Sequence, residues 1–213
     1  PVYNPKLSFF SEALESAKNQ SSPNYEILVG FDGLHSQEYY DLVESKNLNL
    51  FNKNAIKYFT FERSEESMGI SATTNKLAAM AEGDWFVLFD HDDWIRPDLL
   101  YRYEQTLWLF NNDKRIVLYC NEYKIDEDSN FIPGSILEKP LKPEFPFLFT
   151  NWVCHCLAIP KELWKSIGGL RSEYDGAQDF DLVLRLDLAG AKFYNVPLLM
   201  YAWRAHAKST ASI

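Results

Sequence analysis

Trp85-Phe86-Val87-Leu88-Phe89-Asp90-His91-Asp92-Asp93 is the stretch on which the fold turns: five apolar residues run straight into a cluster of three carboxylates. An apolar run of this length, bounded by polar residues, reads as a buried strand. Its carboxyl end carries Asp90, Asp92 and Asp93, and in an open α/β sheet the ligand crevice lies beyond the carboxyl ends of the strands. Hard oxygen donors gathered there suit Mg²⁺ or Mn²⁺, ions that keep positions for water and phosphate oxygens. The plainer reading of the same residues is an acidic turn ahead of the helix after Pro97, and the neighbouring sequence has to decide between the two.

On either side, helical and strand patterns alternate. Pro5 to Asn19 places Leu7, Phe10, Leu14 and Ala17 at helical spacing, and Glu26 to Phe31 is a short apolar run ending at Asp32-Gly33. Ser36 to Lys46 reads as a helix, Ile56 to Phe61 as a strand, Ser71 to Ala81 as a helix and Asp84 to Phe89 as the strand bearing the carboxylates. Arg96-Pro97-Asp98 opens a helix that runs to about Asn112, and Ile116 to Tyr123 is a further strand. From Asp126 to Pro146 the pattern breaks into a proline-punctuated loop, long for a simple connection. Val153 to Ile159 reads as a strand, Lys161 to Ile167 as a short helix closed by Gly168-Gly169, Ala177 to Leu188 as an amphipathic helix, and Phe193 to Trp203 as a last extended stretch. Such alternation predicts an α/β fold with a mostly parallel, Rossmann-like sheet and helices on both faces. The first helix follows directly on Pro1-Val2-Tyr3-Asn4, so a strand is expected ahead of Pro1 in a longer parent protein, beside the strand from Glu26.

Composition narrows the function. The chain has 213 residues, 46% hydrophobic and 24% charged, which suits a single domain spanning 1–213. Its net charge is −9 and its Lys and Arg residues are scattered, so nucleic acid, which needs a basic footprint, is excluded as a partner. No apolar stretch approaches the roughly 18 residues of a membrane span. Three cysteines, Cys120, Cys154 and Cys156, form no disulfide framework, which fits a reducing compartment such as the cytoplasm. If Val153 to Ile159 is a strand, its alternation separates His155 from Cys154 and Cys156, so the three do not chelate one ion. His155 and Trp152 are then candidates for a pocket wall, an aromatic ring there suiting a sugar face.

Five segments, in order, resemble family 2 glycosyltransferases of the GT-A fold. Pro1-Val2-Tyr3-Asn4 resembles the turn after that family's first strand, and Glu26-Ile27-Leu28-Val29-Gly30-Phe31-Asp32-Gly33 its second strand. Gly69-Ile70-Ser71, Asn75 and Ala81-Glu82-Gly83-Asp84-Trp85 resemble the approach to the metal motif, with Asp90-His91-Asp92-Asp93 as that motif. Gly168-Gly169-Leu170 and Gly176-Ala177-Gln178-Asp179-Phe180-Asp181-Leu182 resemble the segment of the catalytic base, and Tyr201-Ala202-Trp203-Arg204-Ala205-His206 through Ser209-Thr210 the closing motif.

The resemblance implies an inverting, metal-dependent transfer of a sugar from a nucleoside diphosphate sugar, UDP- or dTDP-linked, to a hydroxyl of a glycan or lipid-linked acceptor. It further implies synthesis of cell-surface polysaccharide or glycoprotein glycans, at the inner face of the membrane if other parts of the parent attach it there. About 1–125 would then be the nucleotide half and about 126–213 the acceptor half. Pro1, Tyr3, Asn4, Asp32, Gly33, Asn75 and Asp90 are the implied nucleotide contacts. Asp92 is the implied ligand of Mn²⁺ or Mg²⁺, helped by Asp90 and by His206, since Ala202 stands where many relatives carry a histidine. Asp179, in the first turn of its helix where the dipole favours a carboxylate, is the implied general base. Asp93, Trp152, His155 and Gln178 are the implied acceptor contacts, whereas Asp181 and Arg185 read as a surface i,i+4 pair. A sugar nucleotidyltransferase would need a glycine-rich loop, and Pro1 to Leu7 has no glycine. A phosphatase of the D-x-D type would carry its motif on the first strand. An inactive nucleotide-sugar-binding module is disfavoured by intact Asp90, Asp92 and Asp179.

Overall fold

The structure is a computed structural model that describes residues 1–33, 35–47, 56–60, 67–143 and 151–206. Phe61, Pro146, Ser209 and Thr210, on which parts of the sequence reading fall, lie outside the described residues. In chain order the elements are α1 (Leu7–Lys18), β1 (Ile27–Phe31), α2 (Gln37–Asn47), β2 (Ile56–Thr60), α3 (Ile70–Met80), β3 (Trp85–Val87), β4 (Trp94–Ile95), α4 (Leu99–Leu109), β5 (Ile116–Ile125), β6 (Ala158–Pro160), α5 (Lys161–Ser166), α6 (Gln178–Leu188) and β7 (Lys192–Arg204).

β1 and β2 pair in parallel, and the backbone of Val2 lies along the other edge of β1, with Val2 N donating to Gly30 O at 2.7 Å and Asp32 N to Val2 O at 2.9 Å. The remaining strands form a five-stranded sheet of order β3-β6-β5-β7-β4. Here the expectation of a mostly parallel sheet needs correcting. Only β5 and β7 run parallel, while β6 is antiparallel to both β3 and β5, and β4 is antiparallel to β7. The reason is chain path: α5 and α6 supply the crossover that parallel pairing of β5 and β7 requires, whereas the short β4 and β6 enter from loops and can pair in the opposite sense.

β5 fixes the core. Val117, Leu118, Tyr119 and Cys120 are fully buried, so both of its faces are covered. On one face lie Leu163 and Trp164 of α5 and Leu182, Val183 and Leu186 of α6; on the other lie Leu99, Tyr103 and Leu107 of α4. Each such side chain contributes about 1.5–3 kcal/mol on burial, enough to hold the sheet rigid beneath the site.

The predicted strand from Val153 shrinks to Ala158–Pro160. The Glu122 carboxylate accepts hydrogen bonds from both the backbone N and the ring Nδ1 of His155, each at 3.1 Å, which folds the segment over the end of β5. Cys156 takes a left-handed φ of 59°, so the period-2 alternation assumed for Cys154, His155 and Cys156 does not exist. β4, in contrast, is absent from the sequence reading, two residues being too short for a periodicity.

Candidate functional site

β4 positions the acidic motif. By pairing Trp94 with Ala202 and Ile95 with Tyr201, it lays Asp90 to Asp93 against the end of β7. Asp93 is 1% exposed; its Oδ1 accepts from Arg204 N at 2.7 Å and its Oδ2 from the Tyr201 hydroxyl. Burial, and then the charges of Asp90 and Asp92, push its pKa up to about 8 against the pull of those two hydrogen bonds. Arg204, also fully buried, donates from Nε to the Asp92 carbonyl at 2.8 Å and from Nη2 to Glu12 on α1 at 2.7 Å, its guanidinium lying over the Phe9 ring at 4.5 Å. The motif is therefore clamped between α1 and β7.

Its half-buried carboxylate, Asp92, meets the closing motif. His206 Nε2 lies 2.8 Å from Asp92 Oδ2, although the two residues are 114 apart in sequence. Asp90 turns an oxygen toward the Tyr201 hydroxyl at 3.4 Å. Among the described residues no group of three or more His, Cys, Asp or Glu side chains is arranged to enclose a metal ion. The donor set still fits Mn²⁺ or Mg²⁺: a carboxylate and an imidazole already in contact, a second carboxylate adjacent, and open positions of the kind such ions fill with water and substrate phosphates. His91, between the carboxylates, hydrogen-bonds the Pro1 backbone, and burial pushes its pKa down. Pro1 thereby stands beside the motif, while Tyr3 is 52% exposed and Asn4 takes a left-handed φ of 42°.

Two of the expected nucleotide contacts are engaged within the protein. Asp32, 2% exposed, accepts from Met68 N at 2.7 Å, Gly69 N at 3.1 Å and the Ser67 hydroxyl, and so holds the entry to α3 against β1; Gly33 follows with a φ of 83°. Asn75 uses both ends of its amide on Leu170, donating to the carbonyl at 2.8 Å and accepting from N at 2.9 Å. A Cβ on Gly169 would lie 2.3 Å from Asn75 Oδ1, and its φ is +71°, so the second glycine of Gly168-Gly169 is required by this close approach.

Asp179 sits in the first turn of α6, as read from the sequence. Its Oδ1 accepts from Phe180 N at 2.8 Å and its Oδ2 from Asn151 Nδ2 at 3.0 Å; the same Nδ2 reaches Cys154 Sγ at 3.0 Å. Gln178 turns back to accept from Gly176 N at 2.7 Å, and Trp152 is 44% exposed. The Asp181–Arg185 pair forms at 2.7 Å, but on a buried rather than a surface carboxylate, since Asp181 is 7% exposed and is also held by Arg171.

The sequence reading missed the group behind His155. Lys139 Nζ donates to Glu122 Oε2 at 2.7 Å and to the Cys154 carbonyl, with the Lys139 side chain fully buried. Burial raises the Glu122 pKa, but His155 and Lys139 outweigh it and hold the carboxyl down at about 2. The available signal was Asn121-Glu122, a polar pair inside an otherwise apolar strand. Asn121 serves the same segment, its Oδ1 accepting from Lys139 N at 2.9 Å.

A model of glycosyl transferase family 2 matches residues 1–159. An uncharacterised protein of Sinorhizobium fredii, y4gI, is 27% identical over the whole of this chain and 22% of its own length. The O-antigen biosynthesis protein RfbC of Myxococcus xanthus is 25% identical, again over all of this chain but 16% of its own. The chain thus spans about a fifth or less of these two relatives. The crystal structure of S. aureus TarS 1-349 with UDP-GlcNAc superposes with a TM-score of 0.73 at 19% identity, covering 97% of this chain and 58% of that one. The fold is accordingly of the GT-A type. With that fold, and with the family match running from Pro1 through the acidic motif to β6, the chain belongs to glycosyl transferase family 2.

Proposed function

We propose that the chain is the catalytic domain of an inverting glycosyltransferase that moves a sugar from a nucleoside diphosphate sugar to a hydroxyl of a glycan or lipid-linked acceptor. The Asp92–His206 contact carries this reading, because it joins two motifs remote in sequence into one polar site at the end of the sheet. Asp179 takes the proton of the acceptor hydroxyl as its oxygen attacks the anomeric carbon, and Asn151 holds the carboxylate in place for that transfer. One displacement inverts the anomeric centre. Asp92 and His206, with Asp90 beside them, would hold Mn²⁺ or Mg²⁺, which would supply positive charge to the departing diphosphate when bound. Asp93, saturated by Tyr201 and Arg204, positions the motif rather than reaching substrate. Asp32 and Asn75 likewise order the nucleotide side by holding α3.

The UDP-GlcNAc of the TarS structure supports a uridine donor, and the name of RfbC supports a role in surface polysaccharide synthesis. No helix among the described residues is long and apolar enough to cross a membrane. The test is UDP-GlcNAc turnover with Mn²⁺: slow release of UDP without acceptor is expected from wild type and not from Asp92→Ala. Equal release by both would remove the metal role assigned to Asp92.

A further inference from the structure

His155 occupies the ground between the two halves of this chemistry. On one side its neighbour Cys154 contacts Asn151, which bonds the Asp179 carboxylate. On the other its ring stacks on Tyr201, with centroids 5.2 Å apart and planes 5° from parallel, and the Tyr201 hydroxyl reaches Asp93 and Asp90. Trp203 flanks the imidazole at 5.5 Å.

The ring is fixed and polarised from behind. Nδ1 lies 3.1 Å from Glu122 Oε2, whose remaining capacity is taken by His155 N and by Lys139 Nζ. Glu122 and Lys139 are both buried, so the pair does not rearrange to follow solvent. Burial alone would lower the imidazole pKa, but Glu122, Asp90 and Asp93 outweigh it and hold it up at about 9. Nε2 has no hydrogen-bond partner among the described residues, is not one of the buried unpartnered atoms, and belongs to a side chain that is 28% exposed. One nitrogen is therefore anchored to a buried carboxylate while the other, a donor in the charged ring, opens to solvent beside the acidic motif.

We propose that His155 is a further catalytic residue, donating a hydrogen bond from Nε2 to the diphosphate of the nucleotide sugar, with Glu122 and Lys139 as its positioning residues. This rests on the donor reading above and moves His155 from the acceptor wall to the donor. The Tyr201 ring covers one face of the imidazole, so Nε2–H points along the ring plane; a diphosphate held at Asp92 and Asp90 would meet it past the Tyr201 hydroxyl, and a charge-assisted hydrogen bond there would strengthen as negative charge grows on the leaving group. Lys139 comes from the proline-rich segment after β5, so that segment's contribution is to orient the cation.

The experiment compares UDP, by calorimetry with Mn²⁺, with uridine, which lacks both phosphates, by ligand-observed NMR, on wild type and His155→Gln. Hydrogen bonds to charged groups are worth about 1.5–3 kcal/mol, so UDP affinity should fall about 10- to 100-fold while uridine affinity stays the same. His155→Phe, which keeps a ring on Tyr201 without a donor, should reproduce the loss and serves if the glutamine variant does not fold. Unchanged UDP affinity in a folded variant overturns the proposal and leaves the donor reading standing, as does an equal loss for uridine and UDP, which marks a structural role. Wild type that binds no UDP overturns the donor reading, and this proposal with it.

Discussion

Replacing Asp179 by Asn should separate chemistry from binding and from folding. In the wild type Asp179 Oδ1 accepts from Phe180 N at 2.8 Å, a bond that an amide oxygen can keep. Oδ2 accepts from Asn151 Nδ2, and Asn151 Oδ1 is buried without a partner. An Asn151 amide turned over would offer that oxygen to the new Nδ2 at 179, giving up the contact to Cys154 Sγ. One bond is exchanged for another, so the stability change should stay within about 1 kcal/mol. The lost proton acceptor is a different matter: general-base catalysis contributes about 10² to 10⁴ in rate, or roughly 3–5 kcal/mol of activation free energy. Transfer kinetics, UDP calorimetry and thermal unfolding of the same variant give the three readouts. The expected result is a fall in kcat of at least 100-fold, with donor affinity and unfolding temperature nearly unchanged. A variant that keeps more than about a tenth of wild-type transfer would show that Asp179 is not the base.

Gly169→Ala should destabilise the protein by about 2 kcal/mol or more, since its Cβ meets Asn75 Oδ1 at 2.3 Å on a left-handed backbone; chemical denaturation showing less than about 0.5 kcal/mol would contradict the Asn75–Leu170 pin. His155, held up at about 9 against an unfolded value near 6.5, contributes stability that is complete below about pH 6.5 and is lost as pH rises through 9. Asp93, held up at about 8, gives a fall of its own between about pH 4 and pH 8, so the interval from pH 8 to 9 isolates His155. Over that interval, without metal, wild type should lose about 1 kcal/mol more than His155→Gln, and parallel curves would show that the imidazole is not held charged.

The run Val117 to Cys120 announced a doubly covered strand by apolarity alone, and the helices on either side carried their own periodicity, so the layer order was legible. Strand direction was not, because β4 and β6 owe their sense to loops that no local pattern describes. At the proposed site, Asp92 came from the acidic motif and Asp179 from the family resemblance, with its place in the first turn of α6. His206 was readable only as a nearby imidazole, and its contact with Asp92 depends on the Trp94–Ala202 register. The partner of His155 was hidden for a related reason. Glu122 and Lys139 are 17 apart in sequence, one on β5 and the other in the loop after it, and neither belongs to a motif. For Asp32 and Asn75, a sequence does not say that their hydrogen bonds are spent on the backbone of Gly69 and Leu170.

The central claim is that Asp92 and His206 together hold a divalent ion through which the nucleoside diphosphate binds. Calorimetric titration of UDP, with and without Mn²⁺, into wild type, Asp92→Ala and His206→Ala tests it directly. Wild type should bind UDP at least tenfold more tightly with Mn²⁺ than without, a difference of about 1.4 kcal/mol or more, and both variants should lose that difference. Equal UDP affinity with and without Mn²⁺ in wild type, or an undiminished Mn²⁺ effect in Asp92→Ala, would contradict it.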